Sequence, residues 1–287
     1  MKKAFIILTL LCIGAKGFSQ QDSLKLKKSA DTTITSASKS DTACCDMHHQ
    51  FPDWHHMHSM HDMSAMHNMW HKKTKPTNLS TNWLVVDLGF ANYTDNTNYA
   101  GGAAQNFAPG GTSDWFKLKN NKSVDVNIWF FMQRLNVYKH VVNLKYGLGI
   151  ELNNYRYQTN IKYTTTASNA TEVILDTVPY SKNKLAADYI TIPFMINFNF
   201  TPSLKDGFGL SIGASAGYLY SSRQKLISPE FGKHKNFDDF DLDPWKISWI
   251  AELQLGPVKL YGSLATKSMF SKGLDQVPYT FGIRLSN

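Results

Sequence analysis

Residues 140–159 read HVVNLKYGLGIELNNYRYQT, and from Val142 to Asn153 apolar side chains alternate with polar, charged or small ones. Val142, Leu144, Tyr146, Leu148, Ile150 and Leu152 share one parity, while Asn143, Lys145, Gly147, Gly149, Glu151 and Asn153 share the other. Successive side chains of a β-strand point to opposite faces. A period of two therefore predicts a strand with one apolar wall and one wall of charge and small residues.

The same period recurs on both sides of this strand. Upstream, Trp83–Tyr93 sets Leu84, Val86, Leu88 and Phe90 against Val85, Asp87, Gly89 and Ala91. Ser123–Arg134 sets Val124, Val126, Ile128, Phe130 and Met132 against Asp125, Asn127, Trp129, Phe131 and Gln133. Downstream, Leu185–Phe200 sets Ile190, Ile192, Phe194, Ile196 and Phe198 against Thr191, Pro193, Met195, Asn197 and Asn199. In Phe208–Lys225 the apolar face runs from Leu210 to Tyr218 and Tyr220, with Ser211, Ser215 and Ser221 opposite. Trp245–Gly256, a short and mixed Val258–Lys267, and Tyr279–Leu285 bring the number of predicted strands to eight.

The connections alternate in length. Those near 94–122, 160–184, 226–244 and 268–278 are long, and those at 135–139, 201–207 and 256–257 are short. Outer-membrane barrels show this asymmetry, with tight periplasmic turns and longer external loops. The fold class expected is all-β, an eight-stranded antiparallel transmembrane β-barrel. An even strand count returns both ends of the barrel to the periplasm. Closure follows from the solvent: in lipid an unpaired backbone N–H or C=O has no water to turn to, and only a closed sheet leaves no edge. Tyr93, Tyr155, Tyr218, Tyr220, Trp245 and Tyr279 fall near strand ends, where aromatic girdles belong. A soluble lipocalin-like barrel would turn the same apolar face inward. The export signal and the small residues of the opposite face favour the membrane. Eight strands leave no room for an aqueous channel. The expected filling is Asp87, Asp125, Glu151 and Glu252 against Lys145, Lys246, Lys259 and Arg284.

Several stretches, in order, resemble the PorT-like outer-membrane β-barrel domain family: VDLGFANY, LNVYKHVVNLKYGLGIELNNYRY, YITIPFMINFNF, GFGLSIGASAGY and the ending YTFGIRLSN. The resemblance covers residues 82–287. It implies a small envelope barrel embedded in outer-membrane lipid, in some members linked to secretion partner proteins of the type IX apparatus. It implies no catalytic residue.

The rest of the chain is different in kind. Lys2 and Lys3, an apolar run Ala4–Gly14 of 11 residues, and small residues at Gly17 and Ser19 read as a signal peptide over residues 1–19. Residues 20–81 hold few aliphatic side chains and much Ser, Thr, Lys and Asp. Such a segment buries too little apolar surface to offset the entropy of ordering, and it is expected to be disordered and periplasmic. The barrel is expected over 82–287. The formal charge is +8, but it is spread without long basic runs, which argues against nucleic acid. No GxSxG, P-loop or HExxH pattern appears, and the expectation is a protein without enzymatic activity.

Within 20–81 lies CCDMHHQFPDWHHMHSMHDMSAMHNMWH, residues 44–71, with eight histidines, six methionines and two cysteines. The ligand candidates are Cys44, Cys45, Met47, His48, His49, His55, His56, Met57, His58, Met60, His61, Met63, Met66, His67, Met69 and His71. Met57 to Met69 recur every three residues. Thioether and thiolate are soft ligands that select Cu(I), while imidazole suits Zn, Cu(II) and Ni. Copper as Cu(I) is the expected metal and zinc its rival; the barrel needs neither. Sixteen ligands on one segment suggest buffering or capture, since a catalytic site keeps few rigid ligands and an open position. The acidic run FDDFDLDP at 237–244 lacks the glycine and distal glutamate of a calcium loop and reads as a solvated loop.

Overall fold

A computed structural model of the protein describes residues 77–286, apart from 167–169 and 205–206. The strands in chain order are β1 (Leu79–Asp95), β2 (Val124–Tyr138), β3 (Val142–Arg156), β4 (Ile161–Thr165), β5 (Thr171–Leu175), β6 (Lys182–Asn199), β7 (Phe208–Ser228), β8 (Gly232–Phe237), β9 (Trp245–Leu255), β10 (Val258–Ala265) and β11 (Gln276–Leu285). Eight of them close a ring in the order β1, β2, β3, β6, β7, β9, β10, β11, with β11 back on β1. Every ring pairing is antiparallel, and the closing seam runs from Val86 opposite Leu285 to Asp95 opposite Gln276. This is the eight-stranded antiparallel barrel expected from the alternation. β1 begins at Leu79, ahead of the expected start of the barrel at residue 82.

The two walls separate as the parity predicts. Phe90, Ile192, Phe194, Ile212 and Trp249 are exposed on the outside, while Asp87, Asn127, Glu151, Ser211 and Glu252 are buried inside. So wide a belt of exposed apolar side chains has no place in water; it fits a lipid-facing wall. Glycines make room within. A Cβ at Gly149 would lie 2.7 Å from Cε3 of Trp129, so the indole reaches the centre only because that position is bare.

Two irregularities correct the simple alternation. At Leu84, whose φ is 53°, β1 shifts phase by one residue, and β2 does so opposite, at Phe130. Each strand carries the extra residue at the same level, so their mutual register is kept, while Phe130 has no partner on β3. Met132, expected on the lipid face, therefore points inward at 5% exposure. Phe131, expected inside, turns outward against Trp83, with ring centroids 6.2 Å apart. A second bulge in β7, opposite Asp188 and Tyr189 of β6, sets Ser221 opposite Asp188 and carries Ser222 and Gln224 inward.

The aromatic girdle is also partly corrected. Tyr218, Tyr220 and Trp245 are exposed outside, with Tyr218 and Trp245 edge to face at 5.0 Å. Tyr93 and Tyr155 face inward instead and join a core beneath the long loops. That core closes the long-loop end of the barrel. The first loop contributes helix α1 (Gly102–Phe107) and a 3₁₀ turn at Ser113–Phe116, and the second folds into the β4–β5 hairpin. β8 prolongs β7 as an outlying hairpin. Phe107, Phe116, Tyr157, Tyr163, Phe240 and Phe270 pack together there, all at or below 4% exposure.

Candidate functional site: the barrel lumen

Most of the lumen-facing charges are tied to a partner on another strand. From β11, Arg284 donates through Nε and Nη2 to the two carboxylate oxygens of Asp87 on β1, at 2.7 Å each. Its Nη1 donates to Glu252 on β9. Such a fork-to-fork pair carries geometry as well as energy. Glu252 also accepts from Nζ of Lys145 at 2.5 Å, and Asp87 accepts from Nε1 of Trp129 at 2.7 Å. A second pair, Lys246 to Glu151 at 2.8 Å, joins β9 to β3. Asp125 accepts from the Tyr261 hydroxyl and from Nδ2 of Asn127, the latter at 2.9 Å. Buried charges persist only when paired and hydrogen-bonded, and these span the middle of the tube.

The two ends of the lumen differ. Toward the short turns a polar basin of about 160 Å³ opens, lined by Asn82, Arg134, Lys145, Gln254, Lys259 and Arg284. It has room for a handful of waters. Lys259 reaches Ser286 at its rim. Toward the long loops the aromatic core seals the tube. There the Tyr157 and Tyr163 hydroxyls share a hydrogen bond at 2.8 Å, and burial pushes both well above the ordinary phenol range, so the pair stays neutral. Gln224 ties the cap to the barrel wall: its Oε1 accepts from the Tyr163 amide at 3.0 Å, and its Nε2 donates to the Ile161 carbonyl and to Asn183. Ionic waist and aromatic cap together leave no open passage among the described residues.

Of the eight lumen charges expected from parity, Asp87, Asp125, Glu151, Glu252, Lys246 and Arg284 are buried, and Lys145 and Lys259 line the basin. The partnerships were not legible, nor was the place of Tyr261, which lies in the short, mixed strand. The metal-ligand candidates from Cys44 to His71 lie outside the described residues, as does the signal peptide expected over residues 1–19. Among the described residues no group of three or more His, Cys, Asp or Glu is placed to hold a metal. The acidic loop uses its carboxylates locally. Asp238 accepts from Thr165, Asp241 from the Thr171 amide, and Asp243 pairs with Lys267 at 2.6 Å.

No curated protein matches the chain. The model of the outer membrane protein beta-barrel domain family matches residues 86–274, which runs from β1 to the loop before β11. With a closed ring, a lipid-facing belt and a matched span of that length, the chain belongs to the outer membrane protein beta-barrel domain family.

Proposed function

We propose that the protein is a non-enzymatic barrel of the bacterial outer membrane whose preceding segment binds a soft transition metal on the periplasmic side, copper as Cu(I) before zinc. The observation that carries this is the density of ligands in residues 44–71, sixteen in 28 positions. β1 starts at Leu79 at the short-turn end of the barrel, the end that faces the periplasm in outer-membrane barrels, which supports a periplasmic position for what precedes it. The filled lumen supports an anchor better than a conduit. Met57, Met60, Met63, Met66 and Met69 would supply thioethers, the histidines would supply imidazoles, and Cys44 and Cys45 would supply thiolates.

Metal titration of the full chain tests this. Imidazoles protonate near pH ~6.5 and thioethers do not titrate there, so Cu(I) is held at pH 5 while Zn(II) is released. Loss of Cu(I) at pH 5, or unchanged Cu(I) binding after replacing those five methionines by leucine, removes the thioether role. A second reading, an envelope assembly or secretion role of the PorT-like kind with the segment as a tether, rests on the strand stretches that resemble that family. Deleting residues 44–71 separates the two. Lost copper tolerance with intact secretion supports the first, and the reverse supports the second.

A further inference from the structure

Above the lipid-facing belt, on the outer wall at the long-loop end, four cations stand in direct cross-strand register. Arg156 of β3 is opposite Lys184 of β6, Lys184 is opposite Lys225 of β7, and Lys225 is opposite Lys235 of β8. Their sequence neighbours Tyr155, Leu185 and Gln224 are the inward, buried ones, so the cations point outward. Lys182, Arg223 and Lys233 flank the row. Of these seven only Arg223 has a carboxylate partner among the described residues, Asp188. Nε of Arg156 is buried without a hydrogen bond.

Like charges directly opposite across a sheet destabilise it. Lysines on β8 alone would need no explanation, because charge guards a free sheet edge. Lys184 and Lys225 lie on strands paired on both sides, where there is no edge to guard. Burial, and then Lys182, Arg223 and Lys225, hold the Lys184 ammonium down to about 8, a sign of crowding at a point beyond the lipid-facing belt. An anion laid along the row would relieve it.

Height selects the anion. Lys184 is six residues beyond Ile190, the last lipid-facing residue of β6. At ~3.3 Å per residue and a tilt of ~40°, the row stands roughly 15 Å above Ile190 and roughly 10 Å above Leu152, the outermost apolar residue of the β3 wall. A phospholipid interface is only about 5–8 Å deep on each side. We propose that the Arg156–Lys184–Lys225–Lys235 row is a docking site for the acidic sugar-phosphate headgroup of an outer-leaflet glycolipid, whose acyl chains lie on the apolar wall of β3, β6 and β7 below it.

The full-length protein in nanodiscs of phosphatidylcholine is the material for the test, with rough-type lipopolysaccharide and phosphatidylglycerol added separately as probes. The triple variant K184Q/K225Q/K235Q is compared with K117Q/K122Q/K272Q, which removes the same charge from loops elsewhere. Wild type and the second variant retain lipopolysaccharide through purification. The ladder variant loses at least tenfold of that retention, and phosphatidylglycerol displaces little. Folding of the ladder variant is checked by thermal unfolding in phosphatidylcholine alone, where relief of like-charge repulsion raises its Tm. Equal retention by both variants, or displacement by phosphatidylglycerol at equal charge, overturns the proposal. So does a ladder variant that loses self-association of the barrel in place of lipopolysaccharide, which would make the occupant a second copy of the chain.

Discussion

The waist of the barrel and its outer cap fill the same narrow tube in opposite ways. At the waist the filling is ionic: Asp87, Glu252, Lys145 and Arg284 form one chain of contacts, and Glu151 and Lys246 form a separate pair. In the cap it is aromatic and apolar, with Phe116, Ile161, Tyr163 and Phe240 all nearly inaccessible. The cause is the origin of the side chains. Waist residues come from strand faces that alternate with lipid-facing ones, so the charged ones among them must meet across a fixed diameter. Many cap residues come from loops free to fold inward, and they pack as a small core on strand residues such as Tyr155 and Leu185. Charge at the waist binds strand to strand, whereas the cap binds loop to loop and rests on the barrel through contacts such as Gln224.

Breaking the waist gives the largest effect. Arg284→Ala leaves buried Asp87 with only the Trp129 indole and takes from Glu252 one of its two cations. A loss of about 3–5 kcal/mol is expected, read as the shift in urea unfolding of the whole barrel in lipid vesicles. If only the loops respond, the waist does not bind the strands together. Gln224→Ala acts on the joint between the two regions. It removes the bonds to Ile161, Tyr163 and Asn183 and leaves buried groups unpaired, at roughly 1–3 kcal/mol. Hydrogen exchange of the β4–β5 hairpin should rise while the waist amides stay protected. Within the cap, Ile161→Val removes one methylene from a closed core and is expected to cost about 1 kcal/mol. Its effect should appear in loop proteolysis and leave barrel unfolding unchanged.

The smallest effect is electrostatic and local. The Tyr180 hydroxyl donates to Asp176 at 2.5 Å and is the main cause holding that carboxyl below its ordinary range. A depressed carboxyl pKa adds stability above the unfolded value and loses it as pH falls through the folded one. Tyr180→Phe should therefore raise the Asp176 pKa in an NMR titration and loosen the loop at pH 7 but not at pH 2.

Parity alone was enough to set Asp87, Asp125, Glu151, Glu252, Lys246 and Arg284 on the inner wall, and to set Ile192, Phe194 and Ile212 on the outer one. It failed at Phe131 and Met132, because a bulge is an extra residue that leaves no mark in the alternation around it. It also failed at Tyr93 and Tyr155. Their position near a strand end suits a girdle, but the residue parity there points into the mouth, and only the folded loops give them something to pack on. The β4–β5 hairpin and β8 were hidden inside stretches that look like plain connections, and the row of cations from Arg156 to Lys235 emerges only from the pairing of four strands.

The residues in order carry the strand count, the two walls, the end at which the turns are short and the His/Met-rich composition of 44–71. These are properties of near neighbours or of bulk composition, and near neighbours are what a chain displays when read along its length. Which carboxylate meets which cation, where the phase slips, and how the loops stopper the mouth depend on the register of strands far apart in the chain. Register is the outcome of closing the ring, when all eight strands must satisfy their backbone bonds at once.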